Sequence, residues 1–213
     1  MPLTRYKAKR DFKITPEPKG STKRSAPDHE LSFVVQKHQA SHLHYDFRLE
    51  WKGVLLSWAV PKGPSLDPSV KRLAITVEDH PLEYGGFEGI IPEGQYGGGT
   101  VMLWDRGTWE PESPDVEASL RQGQLKFALH GSKLKGSWVL VRTQTGAKGS
   151  RAWLLIKHRD RYASSQDVGA KKPRSVASKR LMAEIAASSG GNVLKAAQGD
   201  PGVAKTRRRR KVA

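Results

Sequence analysis

At 213 residues the chain has room for one ordinary domain with extensions, and its 37% hydrophobic content, 21 Gly and 13 Pro leave part of it outside any packed core. With no cysteine, a disulfide framework, a Cys-based zinc site and a thiol nucleophile are excluded, so metal chemistry falls to His, Asp and Glu. A formal charge of +16 points to a polyanionic partner, since Lys and Arg that neutralise phosphates drive binding to nucleic acid, but it specifies no reaction.

Residues 1–29 are polar and basic, carry Pro16, Pro18 and Pro27, and read as an arm; Asp11 and Glu17 are its notable acids. The N-terminus has no apolar leader and no stretch reaches the ~20 apolar residues of a membrane span, so we expect a cytoplasmic protein. From Leu31 to about His158, short runs of Val, Ile, Leu and Trp alternate with Gly and Pro clusters, the pattern of an all-β domain, and all six Trp lie there. The expected strands are Leu31–Lys37, Leu43–Glu50, Val54–Val60, Leu73–Glu78, Thr100–Trp104, Gln124–Leu129, Ser137–Arg142 and Ala152–Lys157, about eight, enough for a compact β-barrel or a sandwich. A short helix is expected at Pro114–Arg121, capped by Ser113 or Asp115.

Residues 30–162 are thus read as the β domain. Residues 163–213 hold no Phe, Trp or Tyr and 12 Lys and Arg against three Asp and Glu, a net +9. Such a segment builds little core of its own, so it is read as a disordered basic tail with one helix around Ser178–Ala187.

The chemistry is concentrated between Phe33 and Glu50. In a strand over 42–50, His42, His44, Asp46, Arg48 and Glu50 share one face, and Leu43, Tyr45, Phe47 and Leu49 take the other. Gln36 and His38 lie on one face at the end of the preceding strand and return beside His44 and Asp46 across a tight connection. Two imidazoles and a carboxylate then converge, a donor set for a divalent first-row metal with open positions. Arg48, one step beyond Asp46, offers the planar fork that grips phosphate oxygens. Metal-assisted phosphoryl transfer to water follows; the same ligand set also serves non-haem iron oxygenases, and charge alone would suffice for a non-catalytic nucleic-acid-binding module.

A second polar group follows, where Leu73, Ile75 and Val77 alternate and the chain breaks at His80-Pro81, placing Asp79, His80 and Tyr84 at a strand end. Beside a phosphate-binding face, His80 is a candidate transition-state stabiliser or general acid. The glycine-rich run from Gly85 to Gly99 lacks the Lys-Ser/Thr ending of a phosphate loop and any amphipathic helix after it, and reads as turns that can serve as substrate loops.

These residues resemble the phosphoesterase family named after its occurrence in DNA ligase D, the multifunctional enzyme of bacterial non-homologous end joining. The likeness runs from Tyr6-Lys-Ala-Lys-Arg-Asp-Phe12 through Phe33–Glu50, Ser57-Trp-Ala-Val-Pro-Lys-Gly-Pro-Ser65, Val77-Glu-Asp-His-Pro-Leu82 and Ile91-Pro-Glu-Gly94 to Trp104-Asp-Arg-Gly-Thr-Trp109. It implies a compact β-barrel with a manganese site at His38, His44 and Asp46, open to other divalent metals, and a phosphate pocket that includes Arg48 and His80. It implies further that Gln36, Lys62, Arg72, Glu78 and Tyr84 lie near the substrate, Gln36 and Lys62 binding it, with Asp11 and Glu17 of the arm closing on the site. The implied activity removes a 3′-terminal ribonucleoside and then a 3′-phosphate from DNA or DNA/RNA ends, leaving a 3′-OH for ligation. The implied partners are a DNA ligase and Ku, in a bacterial or archaeal cell, at the nucleoid. His42 stands where a variable, often basic, residue is expected, so it is a neighbour of the site and not a ligand. No ligase or polymerase module follows, which makes the chain a stand-alone member or a fragment of a larger one.

Overall fold

The computed structural model describes residues 3–20, 29–143 and 152–202. After a first helical turn, α1 (Thr4–Ala8), come three antiparallel strands, β1 (Ser32–Gln39), β2 (Leu43–Trp51) and β3 (Val54–Val60). The β2–β3 hairpin turns on Lys52 and Gly53, both at positive φ (48° and 81°), which matches the right-handed twist of the strands it joins. The chain continues through β4 (Arg72–Thr76), the two-residue β5 (His80–Pro81), a 3-10 turn (Leu82–Gly86) and β6 (Gly89–Ile91) into the long β7 (Gly99–Pro111). Helix α2 (Val116–Gln122) follows, with Asp115 Oδ1 accepting from Ala118 N at 2.8 Å and Gly123 closing it at φ 83°. Strands β8 (Gln124–Gly131), β9 (Lys135–Arg142) and β10 (Ala152–Lys157) complete the sheet.

Pairing runs β1-β2-β3-β4-β10-β9-β8-β7, and β7 pairs back onto β1, so eight strands close into an antiparallel barrel. Closure removes the sheet edges and encloses one side of every strand. That side is aromatic: Phe33, Phe47, Trp58, Trp104, Trp109, Phe127, Trp138 and Trp153 are buried together. The Phe47 ring lies 5.8 Å from Phe127 and 6.4 Å from Trp58. The all-β barrel expected from the sequence is what forms.

The disordered tail expected from residue 163 needs correction up to residue 202. Three short helices, α3 (Val168–Lys171), α4 (Met182–Ser188) and α5 (Val193–Ala197), lie there, and Val168, Met182, Ile185, Ala186 and Ala196 are buried in the same core as the barrel aromatics. The segment is poor in core residues of its own, but it borrows the barrel's. Trp104 Nε1 donates to the Lys172 carbonyl at 2.9 Å, and Val176 N to the Leu103 carbonyl at 2.9 Å. Asp200 accepts from Met182 N and Ala183 N at 2.9 and 3.0 Å, satisfying the open amides at the start of α4. The expected helix at Ser178–Ala187 is α4, displaced towards the C-terminus, and residues 203–213 lie outside the described residues. Ile185→Ala is therefore expected to cost about 2–4 kcal/mol in denaturant unfolding, the range for truncating a buried aliphatic side chain. A disordered segment would show no change.

Candidate active site

The outer face of β1, β2 and β3 carries the polar groups, because each strand turns its alternate residues away from the aromatic interior. Registry then brings them together. Gln36 pairs with Asp46, His38 with His44, and Arg48 with Ser57, so directly opposed side chains share the face. Over this face fold α1 and the 3-10 turn, whose Tyr6 and Tyr84 form a second buried cluster with Val34, Leu55 and Leu103. The polar groups are thereby sunk in a cavity of about 320 Å³, whose lining includes His38, His44, Asp46, Arg48 and His80.

His38 Nδ1 and His44 Nε2 approach Asp46 Oδ2 at 3.6 and 3.7 Å, and one donor atom from each of the three residues lies within 4.8 Å of the others. The remaining ring nitrogens are committed. His38 Nε2 faces the Gly97 carbonyl at 2.8 Å and His44 Nδ1 the His42 carbonyl at 2.9 Å. A carbonyl only accepts, so these nitrogens carry protons, and the two inward nitrogens are the ones turned towards Asp46. Burial lowers the proton affinity of His44 against the pull of Asp46. Burial works to raise the Asp46 carboxyl, but the Arg48 charge and the His38 hydrogen bond outweigh it and hold the group far below the usual carboxylate range. Two imidazoles and a carboxylate, each oriented by a second partner, fit a divalent cation.

Arg48 stands next to this triad, fixed at every nitrogen. Nε donates to Gln36 Oε1 and Nη1 to Ser57 Oγ, both at 2.8 Å, and Nη2 lies 3.3 Å from Asp46 Oδ2. Gln36 is held in turn by the Tyr84 and Phe87 carbonyls at 3.0 and 2.9 Å. His80 Nδ1 is 2.8 Å from the Glu78 carbonyl and 2.9 Å from Arg48 Nη1, and Nε2 is 3.3 Å from Arg10 Nη2, so a guanidinium stands at each ring nitrogen. Burial, then the charges of Arg48 and Arg10, hold the His80 pKa well below the ordinary histidine value, so the ring is neutral at pH 7. On the far wall Tyr84 OH donates to Glu17 Oε1 at 3.0 Å, its own pKa pushed up by burial and by the Glu17 charge.

With this geometry in hand, the comparisons with known proteins are decisive. The sequence model of the family described as DNA Ligase D 3′-phosphoesterase domain matches residues 36–142. The chain belongs to that family. Over 184 residues it is 54% identical to the multifunctional non-homologous end joining protein LigD of Pseudomonas aeruginosa, covering 85% of this chain and 22% of that one. It is 46% identical over 166 residues to the multifunctional non-homologous end joining DNA repair protein LigD of Mycobacterium tuberculosis H37Rv, covering 78% and 21%. A LigD protein of Mycolicibacterium smegmatis is 41% identical over 165 residues, covering 74% and 21%. The chain spans about a fifth of the length of these curated relatives. Membership of this phosphoesterase family makes it a hydrolase acting on phosphoester bonds. Among the described residues no helix is long and apolar enough to cross a membrane.

Of the residues singled out from the sequence, His38, His44, Asp46, Arg48, Glu78, His80 and Tyr84 line one cavity. Gln36 and Glu17 stand behind it, orienting Arg48 and Tyr84. Asp11 is exposed; its carboxylate accepts from Lys13 N at 3.0 Å and its carbonyl from Ile14 N and Thr15 N, which orders the turn leading to Glu17. Lys62 and Arg72 line a different cavity, of about 520 Å³, between the start of β2 and residues 198–202. That larger cavity lacks a converging donor set, and size does not identify the site. His42 contributes its carbonyl while its side chain is exposed, in keeping with its exclusion from the ligands.

Four contributors escaped the sequence reading. Arg10 binds Glu17 Oε1 at 2.9 Å, reaches Glu78 Oε1 at 3.4 Å and packs on the Tyr6 ring. Lys9 bonds to Glu78 Oε2 at 2.8 Å. Ser57 braces Arg48, and Tyr96 stands at the cavity rim. Arg10 and Lys9 are two cations in an arm full of them, and nothing periodic sets them apart. Ser57 had a signal, its place on the outward face of a strand otherwise apolar.

The depressed His80 pKa has a consequence for stability. Below about pH 6.5 the unfolded chain binds a proton at this position that the folded chain does not, so stability falls as pH drops through that region. In metal-free protein His80→Asn should flatten the slope of unfolding free energy between pH 6.5 and 5 by up to about 1.4 kcal/mol per pH unit. An unchanged slope would mean His80 is charged when folded.

Proposed function

We propose that the chain is a divalent-metal-dependent 3′-phosphoesterase that heals the 3′ ends of DNA or DNA/RNA strands. It removes a 3′-terminal ribonucleoside and then a 3′-phosphate, leaving a 3′-OH for ligation in end-joining repair, with manganese as the ion and a DNA ligase and Ku as partners. The observation that supports this most is the convergence of two inward imidazole nitrogens on Asp46, set against the guanidinium of Arg48. His38, His44 and Asp46 would hold the ion, which supplies Lewis-acid chemistry.

The chain's own groups account for the rest. Arg48, immobilised by Gln36, Ser57 and Asp46, presents fixed positive charge to phosphate oxygens without reorganising during the reaction. Arg10 adds a second cation from the arm, positioned by Glu17 and Glu78. His80 lines the cavity as a neutral ring; an entering phosphate dianion offsets the two guanidinium charges that keep it so, and lets the ring take up a proton from solvent and pass it to the leaving oxygen. The +16 charge holds the strand by its phosphates. A mere binding module has no use for the three donors, and this separates the readings.

The experiment is phosphate release from a 3′-phosphate primer-template after chelator treatment, with a series of divalent metals added back. We expect loss on chelation and restoration by manganese. Release that is indifferent to chelator, or absent with every divalent ion, would overturn the proposal.

A further inference from the structure

Tyr96 is half exposed, and of the large exposed hydrophobic side chains among the described residues it is the one that lines the cavity of His38, Asp46 and Arg48. Its loop is built to hold it there. Gln95 N donates to the Pro92 carbonyl at 3.2 Å and Gly98 N to the Gln95 carbonyl at 2.9 Å. Gly97 adopts φ 78°, open to glycine at no cost, and its carbonyl takes the hydrogen bond of His38. The residue after Tyr96 is thus tied to a donor of the metal triad, which sets the ring at a fixed distance from the reacting centre. On the arm side, Lys9 Nζ lies over the ring at 4.3 Å from its centroid and donates to its hydroxyl at 3.0 Å. One face is occupied by this cation, and the exposure belongs to the rest of the ring.

An exposed aromatic face beside a phosphate pocket is what a nucleobase stacks on, with little regard to its identity. Resting on the proposed 3′-end activity, we infer that Tyr96 is the stacking platform for the base of the 3′-terminal nucleotide, whose phosphate enters the cavity. Arg48 and the metal triad take the phosphate, Tyr96 the base, and the two contacts together select a nucleotide end over a bare phosphate ester.

The test compares two 3′-phosphate strands, one ending in an ordinary nucleotide and one in an abasic tetrahydrofuran unit, with wild type, Tyr96→Ala, Tyr96→Phe and Tyr96→Trp. Wild type should show a KM about tenfold lower for the intact end, the size of one base–aromatic stack. That advantage should vanish in Tyr96→Ala and persist in Tyr96→Phe and Tyr96→Trp. If the hydroxyl bond to Lys9 were the reason for the residue, Tyr96→Phe would behave as Tyr96→Ala, and the inference would fail. It would also fail if wild type treated the two ends alike or if Tyr96→Ala kept the preference. No metal-dependent release from either strand by wild type would instead refute the phosphoesterase reading itself.

Discussion

Replacing Asp46 by Asn is expected to reduce phosphate release by at least about a thousandfold, or about 4 kcal/mol of barrier, while the protein stays folded. The side chain keeps its volume and loses the charge that draws a cation to the two imidazoles. Arg48 retains its bonds to Gln36 and Ser57, so the guanidinium stays in place. The aromatic core faces the other way along β2, with Tyr45, Phe47 and Leu49 inside the barrel, so near-ultraviolet circular dichroism should be unchanged. His38→Ala and His44→Ala should behave alike, since each removes one of three donors. Near wild-type turnover by any of the three in chelator-treated buffer with manganese restored would place the metal elsewhere.

Arg48→Lys should cost more than about tenfold in kcat/KM, corresponding to ~2 kcal/mol for charge-assisted hydrogen bonds. The guanidinium braces Gln36, Ser57 and Asp46 at once through three nitrogens in one plane. An ammonium has the charge but no fork, and would leave Gln36 Oε1 or Ser57 Oγ without its donor in a buried place. The loss should appear in kcat as well as in KM, because a loosened cation no longer meets the charge that develops at the transition state. Kinetics equal to wild type would reduce Arg48 to a structural brace.

How much of this was legible in the sequence follows from the physics of each part. Strand β2 announces itself because alternation puts Tyr45, Phe47 and Leu49 opposite His44, Asp46 and Arg48 within one unbroken segment. Its pairing with Gln36 and His38 was readable because only three residues, 40–42, connect the strands. Helix α2 was readable from its capping candidates Ser113 and Asp115, of which Asp115 makes the bond. Strands β5 and β6, of two and three residues, are too short to show a period, and they form on the stretches of β3 and β7 that β4 and β8 do not pair.

Of the helices after residue 163 only α4 was expected; α3, α5 and the packing of all three on the barrel were missed, for a different reason. Composition measures the core that a segment can build for itself, whereas Met182 and Ile185 are buried in a core that the barrel supplies. Arg10 and Tyr96 reach the site from an arm and a loop far apart in the chain, and only the folded protein shows that Lys9 touches both Glu78 and Tyr96. Lys62 and Arg72 were placed near the substrate by the family resemblance alone; the barrel turns them towards another cavity.

Turnover should depend on an ion held by His38, His44 and Asp46. Titrating metal-free protein with manganese while following the free-ion paramagnetic resonance signal, with phosphate release measured on the same samples, tests it directly. We predict one ion bound per chain, turnover rising in proportion to occupancy, and both lost together in Asp46→Asn. Turnover at zero occupancy, or an Asp46→Asn protein that binds manganese and turns over as wild type does, would contradict it.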